Sequence, residues 1–273
     1  MLKYQIIQDL FVICAVFSVL AILLYRWTRS EVPAQGEAGR LGVVDLLGAG
    51  VIFLLYFAFH SLGKPGPQAP DPNRLSAIAL IASMGIQLVL AGMVLAVLAP
   101  RVNLASFLGL RWAGWGWVFL LAPAGLVMTW VFTGALEAAG FIQWVEQLLN
   151  EPPLQEAVMI LQTSKDPILL GLLIIAVVIV APLTEELLFR GYLYPVLKRF
   201  TGVSFAGVMS GLIFATAHGE LAALPTLFFL GVLLALLYER TGSIWAPIGL
   251  HALFNSVTVF VSLLPRFLPQ AQG

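Results

Sequence analysis

The sequence predicts an all-α polytopic membrane protein with about eight transmembrane helices and two amphipathic helices at the membrane surface. Three observations predict this class. The 273 residues are 60% hydrophobic, with a mean hydropathy of +0.96. Only 10% are charged, against about 25% in soluble domains. Apolar runs recur along the chain at about the 20 residues that a spanning helix needs. We therefore expect an integral, multi-pass membrane protein.

Apolar runs of spanning or nearly spanning length divide the chain. In chain order they are Ile6–Tyr25, Val43–Leu62, Leu75–Ala99, Trp117–Leu136, Ile168–Leu197, Val203–His218, Leu221–Tyr238 and Ile244–Leu263. The first run is followed by Arg26 and Arg29 and lacks a small-residue cleavage pattern, so it predicts a retained anchor helix rather than a signal peptide. The distribution of Lys and Arg favours an orientation with the N-terminus outside.

Two amphipathic helices are predicted between the fourth and fifth spans. Apolar residues recur there at helical spacing, at Phe141, Trp144, Val145, Leu148 and Leu149, and then at Leu154, Ala157, Val158 and Leu161. Such helices lie along a membrane surface, and we interpret them as packing elements, with a lid as the alternative. The expected organisation is an N-terminal membrane segment (1–136), this linker (137–167) and a C-terminal membrane core (168–273), all within one membrane domain.

Charge and cysteine content exclude several classes of function. Fourteen Lys and Arg balance fourteen Asp and Glu, so no large basic surface is available and nucleic acid is not an expected partner. The single cysteine, Cys14, excludes an intramolecular disulfide, a Cys-x-x-Cys redox pair and a cysteine zinc cluster.

The fifth span carries a charged turn that calls for a reason. Each charge at the centre of a membrane helix costs about 2.5–3.5 kcal/mol on insertion scales, yet Glu185, Glu186 and Arg190 lie together here. Residues four apart share a helix face, so Glu186 and Arg190 predict an ion pair that leaves Glu185 unmatched. The alternative is that these charges, with Thr184 as N-cap, only begin a helix broken after Pro182.

Two of the three histidines lie in the last spans and add to this polar set. His218 follows Phe214 by four residues, and Asn255 follows His251 by four. A carboxylate, two imidazoles and an amide in a bundle that excludes water can activate a water molecule and stabilise an oxyanion. Glu185, His218 and His251 also match a two-His, one-Glu catalytic zinc. The residues alone leave both alternatives open.

Other polar and small residues indicate packing. Gly207 and Gly211 continue the row of Phe214 and His218, a small-residue stripe that predicts close approach of another helix. His60 indicates an interfacial histidine. Asp45 and Gln87 are interpreted as packing polar groups without a functional role.

The ordered set Glu185-Glu186-x-x-x-Arg190, Phe214-x-x-x-His218 and His251-x-x-x-Asn255 resembles the three motifs of the CPBP family of intramembrane proteases. This family is also called the CAAX protease and bacteriocin-processing (Abi) family. The resemblance covers about Ala181 to Val261. The first four spans match only in being hydrophobic.

The resemblance implies an intramembrane endopeptidase whose substrate is a membrane-associated protein or peptide, lipidated or small. By motif position, Glu185 and His218 activate water, while His251 and Asn255 hold the oxyanion. Glu186, Arg190 and Phe214 occupy supporting positions. The family is described both as zinc-dependent and as metal-free, so the cofactor is either zinc, held by Glu185, His218 and His251, or none.

Two functions of other classes compete with this one. A proton-coupled transporter also places Glu, His and Arg inside the membrane, although its inverted repeats are not visible in the sequence. A noncatalytic immunity or scaffold protein could use the same fold. An unpaired buried carboxylate argues against the scaffold, because packing alone gives no reason to keep one.

Overall fold

The computed structural model describes residues 38–62, 77–149, 156–218 and 222–267. Within these ranges all regular elements are helical and none is a strand, which confirms the all-α class. The predicted anchor Ile6–Tyr25, with Cys14, lies outside the described residues.

The main helices follow the predicted spans closely. They are α1 (Val43–Leu62), α2 (Ala77–Leu98), α3 (Val118–Ala138), α4 (Phe141–Leu149), α5 (Glu156–Thr163), α6 (Pro167–Thr201), α7 (Val203–His218), α8 (Leu224–Thr241) and α9 (Trp245–Leu263). Five helices in the described ranges, α2, α3, α6, α8 and α9, are long and apolar enough to cross a membrane, with α3 extended by the turn from Trp115. The apolar stretches Val43–Tyr56 in α1 and Val203–His218 in α7 are shorter.

Side chains are distributed as in a membrane bundle. Large apolar residues face outward, with 81% of Ile78, 74% of Phe119 and 67% of Val131 exposed. Charged Glu186 and Arg190 are fully buried. Lipid solvates the apolar surface, whereas charged groups in a span require partners inside the protein.

The predicted amphipathic helices are present as α4 and α5. Ile160 and Leu161 of α5 are buried against Leu80, Leu169 and Val259 from α2, α6 and α9. Arg266 ties the same region together, because its Nη2 donates to the Ser164 carbonyl at 2.7 Å. This packing supports the interpretation of α5 as a packing element. Its position at a membrane surface and the three-part division of the chain stay predictions.

Helix α6 runs for 35 residues and contains two π-helical segments within its α-helical course. Asp166 caps its start by accepting from the Ile168 and Leu169 amides, and Pro167 follows at the first turn, where its missing N–H is tolerated. The segments Ala176–Val180 and Phe189–Leu193 are π-helical. Helix α6 therefore continues through Pro182, and the alternative in which a broken helix begins with Thr184 as its N-cap is wrong. A helical turn with Glu185 lies between the two π-segments.

Helices α7 and α8 approach closely at one glycine pair. A Cβ built on Gly211 would lie 2.9 Å from the Val232 nitrogen, and one on Gly231 would lie 2.8 Å from the Gly211 Cα. The predicted close approach is confirmed at Gly211. It is wrong at Gly207, where no atom lies within 4 Å of a built Cβ, because the glycine contact occurs one turn further along α7.

Helix α1 packs against α6. The Tyr192 hydroxyl donates to the Asp45 carbonyl at 3.1 Å, and the Phe53 and Phe189 rings meet edge to face at 4.8 Å. The Asp45 carboxylate pairs with Arg101 and accepts from the Gly42 amide at 2.8 Å. The Tyr192 and Phe189 contacts hold α1 beside the charged turn of α6, and the Arg101 pair joins α1 to the segment after α2.

Candidate active site

Glu185 lies on α6 with only 5% of its surface exposed. Its two carboxylate oxygens have different surroundings. Oε1 accepts a hydrogen bond from the Tyr56 hydroxyl of α1 at 3.1 Å. Oε2 is buried and has no hydrogen-bond partner among the described residues. Burial of an unsatisfied carboxylate oxygen is costly, and Glu186 Oε2 is buried without a partner among the described residues as well. The groups that face Glu185 Oε2 therefore decide whether it is a candidate for chemistry.

Two histidines converge on the same oxygen. The Nε2 atoms of His218 and His251 each lie 3.9 Å from Glu185 Oε2. If α7 and α9 began at the same depth in the membrane, the positions of the two histidines along them would leave an offset of roughly 12 Å at about 1.5 Å per residue. The structure instead brings both rings to one carboxylate.

The Nδ1 atom of each histidine ring is held by a hydrogen bond. His218 Nδ1 lies 2.8 Å from the Phe214 carbonyl, and His251 Nδ1 lies 2.8 Å from Glu186 Oε1. Because a carbonyl or carboxylate oxygen only accepts, Nδ1 carries the proton in both rings. In the neutral rings Nε2 is then the basic nitrogen, and it faces Glu185 in both cases.

Glu186 and Arg190 form the predicted ion pair. Arg190 Nη1 donates to Glu186 Oε1 at 2.9 Å, and both side chains are fully buried. Arg190 Nη2 donates to the Gly231 carbonyl of α8 at 2.7 Å. Since Glu186 also accepts from His251, this pair links α6, α8 and α9 behind the site.

Phe214 and Asn255 also lie around this centre. The fully buried Phe214 ring lies 4.8 Å from Arg190 Cζ and 4.7 Å from the His218 ring. Asn255, one turn beyond His251, donates from Nδ2 to the Val177 carbonyl in the first π-segment of α6, at 2.8 Å. Its amide therefore bonds α9 to α6. Its predicted part in holding an oxyanion would use the other N–H and stays a prediction.

Among the three groups that converge at the site, His218 is the most exposed. The His218 side chain is 27% exposed, against 7% for Glu185 and 3% for His251. Two clefts of about 740 and 250 Å³ on the described part of the protein are lined by other residues.

Tyr56 is the contact that sequence reasoning missed. Its hydroxyl was one polar atom in an apolar run, and no spacing rule relates residues 129 positions apart. The sequence also gave no sign that Gln87 of α2 meets Thr184, whose hydroxyl lies 3.1 Å from the Gln87 amide oxygen. Gln87 and Asp45 hold helices together in the structure, in agreement with their interpretation as packing groups.

Comparison with known proteins supports the resemblance of the motifs. A family model described as type II CAAX prenyl endopeptidase Rce1-like matches residues 167–257, which run from α6 into α9. No solved structure matches the chain.

Two curated relatives are similar over part of their length. A Bacillus subtilis protein named membrane peptidase YdiL is 38% identical over 94 residues, which are 34% of this chain and 38% of the relative. The membrane-embedded CAAX protease MroQ of Staphylococcus aureus is 37% identical over 100 residues, 34% of this chain and 40% of the relative. The chain thus spans about two fifths of each relative. The protein is an integral, multi-pass membrane protein, and its residues 167–257, a third of the chain, are similar to the family described as type II CAAX prenyl endopeptidase Rce1-like.

Proposed function

We propose that this protein is an intramembrane endopeptidase that hydrolyses a peptide bond in a membrane-associated substrate. One observation carries the proposal: the buried Glu185 Oε2 lies 3.9 Å from the Nε2 atoms of two histidines on two other helices. The family match and the names of both relatives, a membrane peptidase and a CAAX protease, support the same activity.

Water activation follows from the hydrogen-bonding capacity of these groups. A water molecule about 2.8 Å from both Glu185 Oε2 and His218 Nε2 fits their 3.9 Å separation. Both atoms accept, so the water donates both protons and turns its oxygen towards the scissile carbonyl. Glu185 takes one proton as the oxygen attacks the carbonyl carbon, and that proton then passes to the leaving amine.

His251 and Asn255 are proposed to stabilise the oxyanion of the tetrahedral intermediate. His251 donates from Nε2 only as an imidazolium, because its Nδ1 proton is already held by Glu186. Fixed donors of this kind are worth about 10²–10³ in rate in other enzymes.

The zinc alternative has suitable donors but unsuitable spacing. Zinc ligands at about 2.0–2.2 Å in a tetrahedral site lie about 3.3–3.5 Å apart, whereas both Oε2 to Nε2 separations are 3.9 Å. In the described ranges, no three His, Cys, Asp or Glu side chains are placed so that they could hold a metal as they stand. No step of the proposed reaction therefore uses a metal.

The proposed substrate class is a lipidated or small peptide held in the bilayer. The apolar outer surface and the partly exposed His218 side chain suit a substrate that arrives from lipid. A quenched fluorescent peptide with a prenylated CAAX-type C-terminus is the first probe, followed by unprenylated apolar peptides.

Cleavage by purified protein in liposomes tests the proposal. We expect wild-type protein to cleave one of these probes, and Glu185→Ala and His218→Ala to lose cleavage while remaining folded. Elemental analysis of the same samples should find no stoichiometric zinc. Retained cleavage by folded Glu185→Ala would overturn the assignment. Substrate uptake driven by a pH gradient, without cleavage, would favour the transporter, and neither activity would favour the scaffold.

A further inference from the structure

We infer that Tyr56, outside the family match, is a positioning residue for Glu185. This inference rests on the proposed function. Its hydroxyl donates to Glu185 Oε1 at 3.1 Å, and the residue is 1% exposed. Tyr56 lies on α1, whereas the family model begins at residue 167. The site is thus completed by a helix from the N-terminal half of the chain.

The hydrogen bond fixes the orientation of the Glu185 carboxylate, so that one of its oxygens faces the histidines. A glutamate side chain rotates readily about its last torsion, and its two oxygens are chemically equivalent. With Oε1 held by Tyr56, Oε2 is left towards His218 and His251. Without the hydroxyl, Oε1 loses this bond and the carboxylate can turn away from the water that it activates.

Helix α1 is anchored well enough to place this hydroxyl. The Phe189 ring lies 4.8 Å from Phe53 and 6.0 Å from Tyr56, edge to face with both. Phe189 in turn meets Phe214 at 5.2 Å. A rigid aromatic row therefore connects α1 to the helix that carries His218.

Tyr192 supplies a matched control. Its hydroxyl also bonds across the α1–α6 interface at 3.1 Å, but to the backbone carbonyl of Asp45. Tyr192 is fully buried as well. Tyr56→Phe and Tyr192→Phe each remove one buried hydroxyl from the same interface, and only the first touches Glu185.

The test combines kinetics with infrared spectroscopy on full-length protein in liposomes. We expect Tyr56→Phe to lower kcat about tenfold or more, since hydrogen bonds to charged groups and small displacements of catalytic groups have effects of this size. KM should stay within about twofold, because Tyr56 holds the base rather than the substrate. The carboxylate stretch lost in Glu185→Gln, observed with isotope-labelled glutamate, should shift in Tyr56→Phe. Tyr192→Phe should resemble wild type in both measurements.

The outcomes separate this inference from the proposed function. Wild-type kcat in Tyr56→Phe, or equal losses of kcat in both tyrosine variants, would overturn the positioning role while an inactive Glu185→Gln left the peptidase standing. An active Glu185→Gln would overturn the peptidase site itself. An unshifted Glu185 band in Tyr56→Phe would overturn the inference without any need for a substrate.

Discussion

Glu186 and Arg190 illustrate how the bundle accommodates buried charge. Each side chain is fully buried, and together they contact His251 and the Gly231 carbonyl. Removing one member of such a pair leaves the other charge uncompensated, which is far more costly than removing both. The pair therefore stabilises the site chiefly as a unit, and Glu185 is left outside it.

Single and double substitutions test this coupling. We expect Glu186→Leu and Arg190→Met each to lower the free energy of unfolding by about 3–5 kcal/mol. The double variant should lose less than either single variant, since no unpaired charge remains. Unfolding in detergent micelles, followed by circular dichroism, gives the comparison. Losses that simply add in the double variant would contradict the pairing.

The local parts of the site were predictable at this scale, and its distant contacts were not. The Glu186–Arg190 pair follows from residues four apart on one helix. The contact of Tyr56 with Glu185 joins positions 129 apart and depends on how α1 packs. Likewise the Asn255 bond to Val177 could not be predicted, because it depends on the winding of α6.

Helices α6, α7 and α8 position the site through close backbone packing. The Gly211–Gly231 contact brings α7 against α8, and the Gly231 carbonyl at that contact accepts from Arg190. Small residues at such crossings let helices pack without a hydrophobic driving force between them. The geometry of the Arg190 anchor therefore depends on the absence of a side chain at Gly211.

Two alanine variants on one helix test that dependence. Gly211→Ala must displace α8 backbone atoms, so we expect a loss of about 1–3 kcal/mol in the free energy of unfolding and reduced cleavage. Gly207→Ala has open space around its new methyl group and should be neutral or slightly stabilising, because alanine favours helix by about 1 kcal/mol. Thermal unfolding of both variants gives the comparison of their stabilities. Equal stability of the two would contradict the close approach.

At the scale of the whole molecule, apolar length predicted the helices well. The bounds of α1 and α7 agree with prediction, and those of the other spans differ by a few residues, because about 20 apolar residues are needed to cross a bilayer. The two π-segments of α6 were not predictable, since neither apolar length nor residue spacing distinguishes π-helical from α-helical winding. They flank the turn that carries Glu185, in keeping with the frequent occurrence of π-bulges at functional sites.

The whole bundle also explains why a carboxylate with an unpaired oxygen is tolerated. Glu185 accepts a hydrogen bond from Tyr56 of α1 and faces the histidines of α7 and α9. It also lies beside the Glu186–Arg190 pair, which is bonded to α8. Stability lost at such a site is compensated by packing elsewhere, so replacing a catalytic group often stabilises a protein while abolishing its activity. The residues matched by the family model lie on α6, α7, α8 and α9, and α1 adds the Tyr56 hydroxyl.

The cleavage rate of Glu185→Gln, measured on a sample whose unfolding temperature is compared with wild type, tests the central claim most directly. Glutamine keeps the shape of glutamate and removes its basicity. We expect the rate to fall at least a hundredfold, roughly the lower bound for loss of a general base, with an unfolding temperature equal to or above that of wild type. A folded Glu185→Gln protein that cleaves at the wild-type rate would contradict the account.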